Sequence, residues 1–220
     1  MGAVRSAPGG GRIVEISPSR VSGWFDRFGE RHGGVLSTDI TADTVTVLAE
    51  DGATATVTVP FPPLTAAEDG LDMTDLVAHL LVPRRIGLLL VRLGGHSVGI
   101  AEAGLVLVSA TDRTQVHGRN KAGGWSQQRF ARRRAGQARV ALRSAADDAV
   151  RVLVPRLPEL VAVVLGGDRR ALEVLREDGR LAAVFALAQA RVLEVAEPRR
   201  AVLDDAAERA MAVEILVTEP

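Results

Sequence analysis

Residues 86–110 read IGLLLVRLGGHSVGIAEAGLVLVSA, and this stretch decides the fold. Three apolar runs, at 86–93, 96–102 and 105–110, are parted only by Gly94-Gly95 and Ala103-Gly104. Short apolar runs joined by two-residue glycine links predict strands in an antiparallel meander. The first run is almost wholly apolar, which predicts a central strand covered on both faces.

Downstream, residues from Ser126 to about Val154 predict one long helix ending before Pro155. Its apolar stripe is Phe130, Ala138, Ala141, Leu142, Ala145, Ala149, Val152 and Leu153. Residues 160–165 (LVAVVL) predict a buried strand, and Gly166-Gly167-Asp168 leads into a helix at 169–177. Residues 182–188 fit helix or strand, 191–194 a strand, and 203–216 a final amphipathic helix.

Upstream, residues 1–11 end in Pro-Gly-Gly-Gly and predict a disordered tail. A short strand is expected at 12–16. A helix at 20–31 follows, with Val21, Trp24, Phe25 and Phe28 on one stripe. Residues 44–49 and 53–59 alternate apolar and polar about Asp51-Gly52, a strong hairpin signal. The acidic stretch 65–75 reads as a boundary, followed by a short helix or strand at 75–82. The expected organisation is a tail at 1–11, an N-terminal α+β piece at 12–75 and a main domain at 76–220. The fold class is α+β (mixed α/β): a three-stranded antiparallel meander, extended by further strands and packed with a long helix.

The composition narrows the chemistry. The 220 residues carry 27 basic and 27 acidic side chains, a net charge of +0, and no cysteine. Disulfides, thiolate catalysis and cysteine zinc sites are therefore excluded. The four histidines (His32, His79, His96 and His117) lack metal-site spacing and read as surface or satisfied side chains, so no metal and no cofactor are expected. No apolar run approaches the ~20 residues that span a bilayer. The N-terminus lacks a signal core, so a cytoplasmic protein with no membrane partner is expected.

One window departs from the balance of charge. Between Arg113 and Arg143 stand nine Arg or Lys residues and no Asp or Glu. Within it, Gly123-Gly124-Trp125-Ser126-Gln127-Gln128 runs straight into the long helix. An ordinary turn with Ser126 as helix cap accounts for the serine and one glycine, but not for the glutamines. Arg129, Arg132, Arg133 and Arg134 oppose the positive end of the helix dipole, which points to a polyanionic partner. A plain RNA-binding module explains the arginines and leaves the glutamine loop idle. A P-loop fails because no G-x-x-x-x-G-K-[ST] is present. A metal-dependent nuclease fails because Glu102 and Asp112 are the only acids near the strand ends.

The order of three strands, basic glycine loop and long helix resembles the catalytic domain of eukaryotic and archaeal class I release factors, which present a Gly-Gly-Gln loop. It resembles more closely the VLRF-type peptidyl-tRNA hydrolases of ribosome quality control, in their actinobacterial branch. That family's G-x-x-Q loop follows basic residues. Here it reads Arg119-Asn120-Lys121-Ala122-Gly123-Gly124-Trp125-Ser126-Gln127, with Trp125 inserted relative to the Gly-Gly-Ser-Gln of eukaryotic members. The resemblance spans roughly residues 76–220. It implies hydrolysis of peptidyl-tRNA on stalled ribosomes or large subunits, with large-subunit rRNA and peptidyl-tRNA as partners and not DNA. The implied catalytic residues are Gly123, Gly124, Ser126 and Gln127, with Gln128 the alternative glutamine. The implied RNA contacts are Arg119, Lys121, Arg129, Arg132, Arg133 and Arg134, with Trp125 either stacking on a base or packing beneath the loop. The alternative is a non-catalytic rRNA- or tRNA-binding module that uses the same arginines.

Overall fold

The computed structural model describes residues 4–65, 73–92, 94–113 and 125–220, with side chains throughout except at 113 and 125–135. The first elements in chain order are β1 (Val4–Ser6), β2 (Arg12–Ile16), α1 (Val21–Arg31), β3 (Val35–Ile40), β4 (Thr44–Ala49), β5 (Thr54–Thr58) and α2 (Thr74–Leu81). Then come β6 (Arg85–Arg92), β7 (Gly95–Glu102), β8 (Leu105–Arg113) and α3 (Trp125–Val152). The chain closes with β9 (Ala162–Gly167), α4 (Arg169–Arg176), α5 (Ala182–Ala186), β10 (Ala188–Leu193), α6 (Arg200–Ala210) and β11 (Val213–Thr218). Among the described residues no helix is long and apolar enough to cross a membrane.

Two compact units result, residues 1–83 with 211–220, and residues 84–210. The division thus falls at Pro83, eight residues beyond the acidic stretch, and the last ten residues leave the main domain expected at 76–220. The reason is β11. Its Val213, Ile215 and Val217 are buried while Glu214 and Leu216 between them are less so, a strand's period of two. It pairs antiparallel with both β2 and β5. The single helix expected at 203–216 is therefore a helix to Ala210 and then a strand.

The first unit is a six-stranded sheet in the order β1-β2-β11-β5-β4-β3. Val45, Val47, Ala55, Val57 and Ile215 pack beneath Phe25 and Phe28 of α1 and Leu76 and Leu80 of α2. The Asp51-Gly52 hairpin forms as expected, with Gly52 at φ +93°. Besides β11, two strands were not anticipated. β1 lies inside the supposed disordered tail and pairs with β2, and β3 is an edge strand whose sequence, VLSTDI, does not alternate cleanly.

The second unit is a five-stranded sheet in the order β10-β9-β6-β7-β8. β6, β7 and β8 form the expected antiparallel meander, and β9 extends it parallel to β6, which lies centrally. One face carries Leu89, Val91, Val98, Ile100, Val163 and Leu165, packed with α3, α4 and α5. The other meets α6, through Leu203, Ala206, Ala207 and Ala210. Gly87 makes close packing possible, since a Cβ there would stand 3.1 Å from Leu153 and from Leu160. Gly167 ends β9 at φ +99°, and a Cβ would run into the Val91 carbonyl oxygen, so only glycine fits.

Candidate nucleic-acid interface and catalytic loop

The attachments of the basic window are well defined. β8 ends at Arg113 and α3 begins at Trp125. Arg119, Lys121, Gly123 and Gly124 lie outside the described residues. Trp125, Ser126, Gln127, Gln128, Arg129, Arg132, Arg133 and Arg134 stand on the α3 backbone, with side chains outside the described set. The helix starts one residue before Ser126, so that residue occupies the first turn rather than the cap. Gln127 falls in the same turn, where backbone N–H groups lack intrahelical acceptors and the dipole is positive. No acidic residue stands in this turn.

The other end of α3 is embedded. Ala141, Ala145, Ala146, Ala149, Val152 and Leu153 are buried. Small alanines let the helix axis approach the sheet closely. Ala141 is sixteen residues beyond Trp125, about 24 Å of helix at 1.5 Å per residue. Between them, the described residues Gly136, Arg139 and Val140 are exposed.

A polar clasp joins α3 to the end of the meander. His96 and Asp112 are cross-strand partners on β7 and β8. His96 is 2 % exposed, and its Nε2 donates to Asp148 Oδ2 at 2.9 Å. Arg151 Nη2 donates to Asp148 Oδ1 at 2.7 Å. Ser144 Oγ donates to Asp112 Oδ2 at 3.2 Å. On the opposite face Ser97 Oγ and Thr111 Oγ1 are 2.6 Å apart. Burial pushes the Asp148 carboxyl up, but hydrogen bonds from His96 and Arg151, with their charge, outweigh it and hold the group below its ordinary value. Further along, Arg180 bridges Asp147 of α3, at 2.8 Å, and Asp178. These bonds fix the strand end and the helix between which residues 114–124 run.

Sequence reasoning missed this clasp. His96 reads in the sequence only as a surface or satisfied histidine, and nothing in the pattern joins it to Asp148, 52 residues away. The other histidines with described positions each have a partner at one ring nitrogen, and the Nε2 of His32 is buried without a hydrogen bond. His32 Nδ1 lies 2.8 Å from Asp51 Oδ2, and His79 Nε2 lies 2.9 Å from the Pro60 carbonyl. Glu102 pairs with Arg85. Among the described residues no three acids or histidines are grouped to hold a metal ion.

Comparison with known proteins gives one family. The model described as the Actinobacteria/chloroflexi VLRF1 release factor matches residues 84–216, more than half of the chain. The chain is similar to the crystal structure of the archaeal translation termination factor aRF1, at 14 % identity and a TM-score of 0.44, covering 90 % of this chain and 66 % of that one. It is also similar to S. cerevisiae Dom34, described as a translation termination-like factor involved in RNA quality control, at 8 % identity and a TM-score of 0.34. That match covers 92 % of this chain and 65 % of Dom34, so the chain spans just under two thirds of either structure. No curated protein matches by sequence.

Proposed function

The chain belongs to the Actinobacteria/Chloroflexi VLRF1 release-factor family, and from that premise we propose that it hydrolyses the ester between nascent peptide and tRNA on stalled ribosomes or large subunits. The observation that carries this reading is the position of Gln127 in the first turn of a 28-residue helix whose far end is locked into the sheet. A glutamine at the tip of such a helix can be presented to a site in a partner without disturbing the core that supports it.

The chemistry suits these residues. Water attacks the ester carbonyl, the bond to the ribose oxygen breaks, and a proton passes to that oxygen. An ester needs a positioned water and a stabilised oxyanion more than a strong base. Gln127 holds the water, through its amide or its backbone N–H. Gly123 and Gly124 let the backbone enter an RNA-lined space that a Cβ would obstruct. Ser126 fixes the loop exit, and the ribose hydroxyl beside the ester relays the proton. Arg119, Lys121, Arg129, Arg132, Arg133 and Arg134 neutralise rRNA or tRNA phosphate, and Trp125 stacks on a base. A cytoplasmic location follows from this work.

The test is release of labelled peptide from large subunits carrying peptidyl-tRNA. Gln127→Ala is expected to reduce release about 10²-fold or more while binding persists. Release that survives Gln127→Ala and is lost in Gln128→Ala would move the role by one residue. Binding without release by the unaltered protein would leave a non-catalytic RNA-binding module.

A further inference from the structure

The hydrolysis reading leaves two arginines of α3 unused. Arg139 and Arg143 are both exposed and, among the described residues, neither has an ion-pair partner. Their neighbours further along the helix differ. Arg151 holds Asp148, and Asp147 is held by Arg180. Arg139 and Arg143 are four residues apart, on one face, where like charges repel and weaken a helix. The acid one turn beyond Arg143, Asp147, is taken up by Arg180. Before them on the same face, Gly136 opens onto empty space, with nothing within 4 Å of a Cβ built there. At spacings of four, three and four, backbone positions 132, 136, 139 and 143 follow a single row. An unobstructed row with uncompensated positive charge fits a chain of phosphates.

We propose that Arg139 and Arg143 continue the basic row of the helix tip into a track for an RNA backbone, lying along the outer face of α3. From position 132 to position 143 the track is about 16 Å long at 1.5 Å per residue. It rests on the reading above, in which the partner is ribosomal RNA. It adds that the RNA contact reaches well past the glutamine loop, to the point where α3 enters the core. Arginine suits this task because its planar fork binds two phosphate oxygens at once.

The experiment compares binding to purified large subunits over a range of salt for three proteins. These are the unaltered chain, Arg139→Gln/Arg143→Gln, and Arg169→Gln/Arg170→Gln, which removes the same charge from the exposed start of α4. Glutamine keeps helix propensity and length. Each lost phosphate contact should lower the slope of log affinity against log salt by about 0.7–0.9. The α3 variant should therefore lose about 1.4–1.8 in slope and bind about fifteen- to thirtyfold more weakly at 0.15 M salt. The α4 variant should match the unaltered chain, and a fourth protein, Arg139→Lys/Arg143→Lys, should recover most of the slope. An unchanged slope in the α3 variant overturns the track. Equal losses in the α3 and α4 variants also overturn it, because total charge alone would then explain both. An unaltered chain that releases peptide while the α3 variant binds normally overturns the track and leaves the hydrolase reading standing. An unaltered chain that neither binds nor releases overturns both.

Discussion

The two halves of α3 obey opposite rules. The second half buries Ala141, Ala145, Ala149 and Val152 against the sheet, and both its acids are paired, Asp147 with Arg180 and Asp148 with His96 and Arg151. The first half has no acid, sets basic residues at the positive end of the helix dipole, and has Gly136 facing open space. Arg139 and Arg143 excepted, the local choices in the second half favour a stable helix in a fixed place. The choices in the first half oppose it. One covalent rod thus joins a segment held by the core to a segment whose composition, in the function proposed above, answers to RNA. The difference teaches where to look for function: at the end where local rules are broken and no packing among the described residues explains why.

The largest effect that would sharpen this contrast is on binding. Replacing Arg132, Arg133 and Arg134 together by glutamine should lower the salt slope of large-subunit binding by about 2–3 while leaving thermal stability unchanged. A fall in stability with unchanged binding would reverse the roles of the two halves. In the second half the expectation is the opposite. Asp148→Ala strands the buried His96 and should reduce stability by about 1–3 kcal/mol in a denaturant titration. Release per folded molecule should change little.

The pH dependence follows from the same group. Asp148 titrates lower when folded than its ordinary 3.8. The unfolded chain therefore takes up the proton first, so the Asp148 contribution is full above that value. It is lost as pH falls toward the folded value. The stability gap between Asp148→Ala and the unaltered chain should accordingly close below about pH 4. A gap that widens in acid would contradict the clasp. The smallest effect is Gly136→Ala, which has free space and should stabilise the first half by up to about 1 kcal/mol. Hydrogen exchange of the first half should slow, with little change in the second.

The legible parts of the fold were those specified locally. The meander at 86–110 announced itself through apolar runs and glycine links, and β4 and β5 through alternation about Asp51-Gly52. What escaped was specified at a distance. Nothing near residue 213 shows that its strand completes a sheet begun at residue 12, and leucine and alanine spacing carried the expected helix past Ala210. β3 escaped because an edge strand is free to carry Ser37, Thr38 and Asp39. The candidate site divides in the same way. The proposed loop rests on charge and glycine in the sequence, and Arg119, Lys121, Gly123 and Gly124 lie outside the described residues. The clasp between β8 and α3 could not be read, since His96, Asp112, Ser144 and Asp148 meet only through the fold.

The account rests on cleavage at one bond, and the most direct measurement is the chemistry of the tRNA end after release. Large subunits carrying labelled peptidyl-tRNA are incubated with the protein, and both products are weighed by mass spectrometry. Ester hydrolysis predicts a full-length tRNA with free ribose hydroxyls and a peptide ending in a carboxylate. A shortened tRNA, with terminal nucleotides still esterified to the peptide, would contradict it and make the basic loop part of a nuclease.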